Sequence, residues 1–249
     1  ANQPTFGQVT PDGRYLYFVA QGSNAVSGFS IDQTTGVLTA APASPYATGG
    51  TSPYSLTIDT TGQFLFATNN ASNNLTRFLI TPSTGALVSL GTTAAGTTPN
   101  DLFATSAGYL YVAATGDSQI RAFSVNTSSG ALTAVSGSPF TAALSYPIVV
   151  SLAGRYIYQI NSTNIYGFAV NSTNGSISAI SGSPFAAGTT TVGECLDPTG
   201  KFLYTTTSAG TTVFGFSINT HTGVPTALSP PSYTTGTGPS NCSTVRVLQ

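Results

Sequence analysis

Methionine and tryptophan are absent from these 249 residues, histidine occurs once and cysteine twice. Charge is scarcer than in almost any ordinary domain, with 5% of residues charged against about 25% in typical globular chains. Six Lys and Arg face seven Asp and Glu, a net charge of −1. Without a basic cluster nothing can displace the counterions of nucleic acid, so a nucleic-acid partner is excluded, as is a polybasic membrane patch. No apolar run reaches the roughly 18 residues a membrane span needs. One His and two Cys make no zinc set, and no closely spaced carboxylates make a calcium loop, so no metal or other cofactor is expected. A surface of Ser, Thr, Asn, Gln and Gly suits a secreted or cell-surface protein. A chain opening at Ala1 with no Met reads as one from which a leader was removed. Seven Asn-x-Ser/Thr sequons, at Asn70, Asn74, Asn126, Asn161, Asn171, Asn174 and Asn241, suggest a glycoprotein.

What is present is a repeat. The stretch "PTGKFLYTTT" (198–207) returns in altered form as "PDGRYLYFVA", "TTGQFLFATN", "SAGYLYVAAT" and "LAGRYIYQIN". The turn glycines Gly13, Gly62, Gly108, Gly154 and Gly200 stand 49, 46, 46 and 46 residues apart, a period of solenoids or propellers. After each comes an aromatic-aliphatic-aromatic run such as Tyr15-Leu16-Tyr17, then a polar turn, a second run with Phe-x-Ile/Val, a turn ending in glycine and a short final strand. Pro-aromatic pairs (Pro45-Tyr46, Pro139-Phe140, Pro184-Phe185) often close the unit. No helical period occurs, and the middle strands are apolar on both faces, so each sheet must be covered on both sides. Blades stacked radially supply that cover. The expectation is an all-β single domain, a β-propeller of about five four-stranded antiparallel blades. Its repeats are 4–52, 53–98, 99–144, 145–190 and 191–238, followed by a surplus terminal strand at 239–249.

The repeat "DPTGKFLY…FGFSINTHTG" (197–223) resembles that of the lactonase-type β-propeller family, which includes 6-phosphogluconolactonase-like proteins. The resemblance implies a propeller, typically of seven blades where this chain has repeats for five, and a lactone-hydrolysing activity whose residues cannot be transferred one by one.

Candidate sites are few. Cys195 and Cys242 lie 47 residues apart in equivalent leading strands, so a disulfide is expected; it would contribute about 4 kcal/mol. The alternative is two separate buried thiols. His221 sits in the "NTHTG" turn and reads as a solvated turn residue, which leaves no Ser-His-Asp or Cys-His set. Asp12, Asp59 and Asp197 precede turn glycines and read as turn caps. Asp101 and Glu194 fall on leading strands as possible channel-mouth polar residues, with a solvated rim charge as the plainer reading. No residue is assigned as catalytic. The leading expectation is a secreted, non-enzymatic structural or assembly propeller in extracellular filaments, self-associating through the terminal strand. The alternatives are a ligand- or glycan-binding propeller and a lactonase-like hydrolase.

Overall fold

A computed structural model describes residues 3–142, 148–150, 154–188, 190–207 and 210–237. They form five antiparallel sheets of four or five strands, each ordered as the chain runs, as the repeat predicts for propeller blades. Blade 1 comprises Pro4–Val9, Tyr15–Ala20, Ala25–Ile31 and Leu38–Ala40, with Tyr46–Ala47 also on the third strand. Blade 2 comprises Pro53–Ile58, Phe64–Asn69, Asn74–Ile80 and Leu87–Ala94, and blade 3 Pro99–Ala104, Tyr109–Ala114, Gln119–Val125 and Leu132–Ala134. Blade 4 comprises Ile148–Val150, Tyr156–Ile160, Asn164–Val170, Ile177–Ala179 and Phe185–Ala186; blade 5 comprises Thr191–Leu196, Phe202–Thr207, Thr212–Ile218 and Pro225–Thr234. Two compact units hold blades 1–3 (Ala1–Pro139) and blades 4–5 (Phe140–Gln249). The terminal strand expected at 239–249, with Asn241 and Cys242, lies outside the described residues.

Each outer strand in blades 1 and 4 is split at the Ser-Pro step that the sequence shows before an aromatic residue. Proline has no N–H for the ladder, and beside it the hydroxyl of the preceding serine serves as an acceptor for a third-strand amide. The Oγ of Ser44 accepts from the Gly28 amide at 2.9 Å, and the Oγ of Ser183 from the Gly167 amide at 3.0 Å. In blade 3 Ser138 does the same for Ala122 at 3.0 Å.

The aromatic-aliphatic-aromatic strand explains how blades join. Its aliphatic member points to one face; Leu65, Leu110, Ile157 and Leu203 are fully buried there. In blades 1 and 4 its two aromatics point to the other, onto the third turn of the next blade. The Tyr17 hydroxyl donates to the Gly85 carbonyl at 2.7 Å, and the Tyr158 hydroxyl to the Gly223 carbonyl at 2.7 Å. The first aromatic of the run in blades 1, 2 and 4 lies against the same turn. A Cβ on Gly85 would meet the Tyr15 ring at 2.3 Å, on Gly130 the Phe64 ring at 2.6 Å, and on Gly223 the Tyr156 ring at 2.5 Å. Each of these glycines also has positive φ (69°, 65° and 74°), so turn geometry and close packing both demand glycine.

Blade 2 departs from the rule in an informative way. It carries Phe66 where blades 1 and 4 carry the latching tyrosine, so no hydroxyl is available. Opposite Phe66 stands Arg77, where Tyr17 and Tyr158 face Gly28 and Gly167. Arg77 donates to the Gly130 carbonyl at 3.5 Å and to the Leu90 carbonyl at 2.6 Å. A guanidinium thus reaches the carbonyl that a phenol hydroxyl reaches in blades 1 and 4. The apolar cores lie between blades: Tyr17, Val19 and Val26 pack with Leu56, Leu65 and Phe78, and Tyr158, Ile160 and Ile165 with Leu196, Leu203 and Phe216.

The turn before the second strand has a polar cap in blades 1, 2, 3 and 5, at the expected aspartate in blades 2 and 5 and two residues before it in blade 1. Asp59 accepts from the Phe64 amide at 2.8 Å, and Asp197 from the amides of Lys201 and Phe202, both at 2.7 Å. The equivalent residue in blade 1 is Thr10, whose hydroxyl accepts from the Tyr15 amide at 3.0 Å; in blade 3 it is Thr105, which serves Tyr109 at 3.2 Å. Asp12 lies two residues further on and instead accepts from the Thr10 hydroxyl and the Arg14 amide.

Burial pushes the Asp197 carboxyl up, but the Thr199 hydroxyl and the amides of Phe202, Thr199 and Lys201 outweigh it and hold it below its ordinary value. For Asp12 burial is likewise outweighed, by the Thr10 hydroxyl, the Arg14 amide and the Arg14 charge. Both groups are therefore more acidic folded than unfolded, where a carboxyl titrates near about 4. Their stabilisation is complete above that value and is lost as pH falls below it. Melting temperature is expected to be level between about pH 5 and 8 and to drop below about pH 4. Asp197→Asn should flatten that acid slope; an unchanged slope would contradict the assignment.

The glycine requirement gives a second prediction. Gly36 occupies the same turn in blade 1 with φ of 72°, but nothing lies within 4 Å of a Cβ built there. Gly36→Ala and Gly85→Ala both meet backbone strain of about 1–2 kcal/mol. Only Gly85→Ala also overlaps a ring, adding about 1–3 kcal/mol. In thermal melts Gly85→Ala is expected to lose several degrees more than Gly36→Ala; equal losses would contradict the packing.

Candidate active site

The starts of the first strands gather the polar side chains, and most of these are committed to the fold. Asn24 and Asn73, both in the left-handed region, close the turns between second and third strands. Their side-chain oxygens accept from the amides of Ser52 and Thr98, at 2.8 and 2.9 Å, in the segment leading to the next blade. Asn70 donates to Asn100, and Asn100 to the Thr115 hydroxyl at 2.8 Å. Asn69, fully buried, donates to Asn74 and Thr76 at 2.7 and 2.8 Å. Asp117 accepts from the Thr97 amide at 2.7 Å and pairs with Arg121 at 3.4 Å. The Thr97 contacts, with a lesser contribution from Arg121, hold its carboxyl below the ordinary range.

Against this background Asp101 stands out. It lies on the first strand of blade 3, and Ser55 occupies the equivalent place in blade 2. The Ser55 hydroxyl donates to Asp101 Oδ1 at 2.8 Å. Ser55 is itself buried, 3% exposed, and its backbone is fixed by Thr68, whose hydroxyl accepts from the Ser55 amide at 3.1 Å and donates to its carbonyl at 3.3 Å. Both strands carry a bulge here, between Pro53 and Leu56 and between Pro99 and Asp101. Bulges re-aim side chains out of strict alternation. Asp101 is thus a half-buried carboxylate that accepts a hydrogen bond from the neighbouring blade, and a carboxylate so placed is a candidate to take a proton from water.

Glu194 lies on the first strand of blade 5, opposite Thr205. It is 4% exposed, buried where a solvated rim charge was the plainer expectation. Next to it Cys195 is disulfide-bonded, and no cysteine among the described residues is free. His221 is exposed; its amide donates to Asn219 and its carbonyl accepts from the Tyr156 hydroxyl at 2.6 Å, so only its backbone is engaged.

The sequons have a structural cause. Asn126 accepts from the amides of Ser128 and Ser129, both at 3.0 Å, and Asn171 from the Thr173 amide at 2.9 Å. Asp32 and Asn219 cap the same turn in blades 1 and 5. A turn that wants Asn first and small hydroxyl residues after it writes Asn-x-Ser/Thr unaided. Asn174 caps Ser176 at 3.0 Å, Asn161 caps Thr163 at 3.2 Å, and Asn70 and Asn74 belong to the network above. Among the described residues no helix is long and apolar enough to cross a membrane, and no group of three or more His, Cys, Asp or Glu could hold a metal ion.

Residues 7–104 match the family described as Lactonase, 7-bladed beta-propeller. A 6-phosphogluconolactonase of Formosa agariphila is 37% identical over 84 residues, 33% of this chain and 23% of that protein. Among solved structures, a Bacteroides fragilis protein assigned as a 6-phosphogluconolactonase superposes with a TM-score of 0.81 at 24% identity, covering 96% of this chain and 73% of that one. The periplasmic gluconolactonase of Pseudomonas aeruginosa superposes with a TM-score of 0.75 at 18% identity, over 96% and 72% of the two chains. At these identities the superpositions establish the fold. The resemblance to lactonase-type propellers is borne out, over the first two blades most directly. The same findings overturn the expected non-enzymatic structural propeller of extracellular filaments, and with it the glycoprotein reading. The scarcity of His and Lys hid a possible site, because Asp101 is positioned by a serine one blade away in the fold and 46 residues away in sequence.

Proposed function

We propose that this lactonase-like propeller is a hydrolase of cyclic esters in which Asp101 is the general base and Ser55 positions it. The hydrogen bond from the buried Ser55 hydroxyl to Asp101 at 2.8 Å carries the proposal, supported by the relatives' lactonase names. Asp101 takes a proton from water as the water oxygen bonds to the lactone carbonyl carbon. The intermediate then collapses, the ring C–O bond breaks, and the ring oxygen takes the proton, leaving a hydroxy acid. Asn100, adjacent on the strand, has a second amide N–H to offer the oxygen that becomes negative. We also infer export from the cytoplasm, supported by the disulfide at Cys195, since such bonds persist in oxidising compartments.

Purified protein is expected to accelerate glucono-1,5-lactone hydrolysis over buffer in a pH-stat. Asp101→Asn should lower kcat by about 10²–10⁴-fold with the melting temperature held. Ser55→Ala should lower it by about tenfold, the scale of one lost charge-assisted hydrogen bond, and Ser55→Thr, which keeps the hydroxyl, should restore it. A wild-type rate equal to buffer, or an active Asp101→Asn variant, would overturn the assignment.

A further inference from the structure

Two places beyond the aromatic-aliphatic-aromatic run, the second strand holds Val19 in blade 1, Ala113 in blade 3 and Ile160 in blade 4, all fully buried. Blade 2 puts Thr68 there, equally buried. A threonine fills the space of a valine, but its hydroxyl is costly inside an apolar layer unless it is bonded. The Thr68 hydroxyl meets one residue twice. It accepts from the Ser55 amide at 3.1 Å and donates to the Ser55 carbonyl at 3.3 Å. Blade 5 also has a buried threonine at this place, Thr206, whose hydroxyl donates to the Gly193 carbonyl at 3.5 Å. There the clamped residue is a glycine, so no side chain is aimed by the contact.

The bulge in blade 2 explains what the clamp on Ser55 does. Pro53 pairs with Asn69 and Leu56 with Ala67, so Tyr54 and Ser55 fall in the break of register between them. A strand residue paired in the ladder has its side-chain direction set by the pleat; a bulged one does not. Ser55 nevertheless aims its hydroxyl at Asp101 Oδ1, 2.8 Å away on the next blade. A serine oxygen hangs from the backbone by one rotatable bond with three staggered positions, so a backbone that shifts carries the oxygen with it. Lengthening by about 0.8 Å ends such a bond. Thr68 supplies, from the buried layer, the constraint that the broken ladder does not.

We infer that Thr68 is a positioning residue for Asp101: it holds the bulged backbone of Ser55 so that the serine hydroxyl reaches the carboxylate. This inference rests on the hydrolase reading above and extends its machinery to a residue with no exposed surface. The test uses the full chain and Thr68→Val, which keeps the branched shape and places the residue that blade 1 already has there. With glucono-1,5-lactone, Thr68→Val should lower kcat about tenfold, as Ser55→Ala does, with KM little changed. Thr68→Ser, which keeps the hydroxyl, should restore most of it. Added to Ser55→Ala, Thr68→Val should cost less than about twofold more, because both act on one bond. Thr206→Val, the same change in blade 5, should leave kcat as it is. A readout free of turnover is the side-chain carboxyl carbon signal of Asp101 in NMR spectra, identified by its loss in Asp101→Asn. It should move the same way in Thr68→Val and Ser55→Ala and return in Thr68→Ser. An unmoved signal, an unchanged kcat, or a loss that adds in full to that of Ser55→Ala overturns the positioning role and leaves the hydrolase reading standing. A signal that moves as described in a protein that hydrolyses no lactone supports the positioning of Asp101 and overturns the hydrolase. An unmoved signal without hydrolysis overturns both.

Discussion

A carbonyl in a glycine turn, reached by a side chain from the neighbouring blade, is the contact on which the rest of this structure depends. Blades have no helices to cover them, and their strands are apolar on both faces, so each must be packed by another sheet. Apolar packing alone is non-directional and would leave the blades free to slide. The Tyr17 hydroxyl on Gly85 and the Tyr158 hydroxyl on Gly223 remove that freedom, because a buried carbonyl left unbonded costs about 1–3 kcal/mol. The rings that carry or flank these hydroxyls need a glycine beneath them, which is why the turn glycine and the aromatic run recur together. Tyr17 is fully buried, and that burial, with the neighbouring Tyr46, raises its phenol so far that it stays a donor throughout the physiological range.

With the blades held in register, the starts of the first strands in blades 1–3 come side by side, and that is where chemistry can be built. Most polar groups there are spent on architecture: Asn24 and Asn73 tie each blade to the segment leading to the next. The contact between Ser55 and Asp101 differs in kind. It joins two side chains on neighbouring blades, and it orients a half-buried carboxylate. A rigid, repeated frame that places one unrepeated acid is consistent with the rule that function is grafted onto a fold, and the frame confers the precision such a site needs.

Much of the fold was legible in the sequence. The glycine spacing and the two-faced apolar strands specify blades, and the split of the outer strand at Ser-Pro could have been anticipated from the missing N–H. The partner of each turn glycine was not legible, because Tyr17 and Gly85 are 68 residues apart and nothing local links them. Asp12 misled for a related reason: it resembles Asp59 and Asp197 in its nearness to a glycine, but Thr10 fills their structural role. Asp101 was visible as a carboxylate off the repeat pattern, yet its holder, Ser55, is an ordinary serine until the strands are aligned. The sequons misled because the turn that Asn caps also favours Ser and Thr after it. A signal did exist for Arg77, a charge facing Phe66 in the one aromatic-aliphatic-aromatic run of blades 1–4 that ends in phenylalanine.

That exchange in blade 2 offers the most direct test of the account. Arg77→Gly removes the donor that stands in for the missing hydroxyl, and adding Phe66→Tyr supplies the pairing found in blades 1 and 4. Melting temperatures of the single and double variants should show a loss in Arg77→Gly of about 2–4 °C for each kcal/mol, largely recovered in the double variant. A double variant no more stable than Arg77→Gly alone would mean that the hydroxyl-to-glycine contact does not hold the blades together.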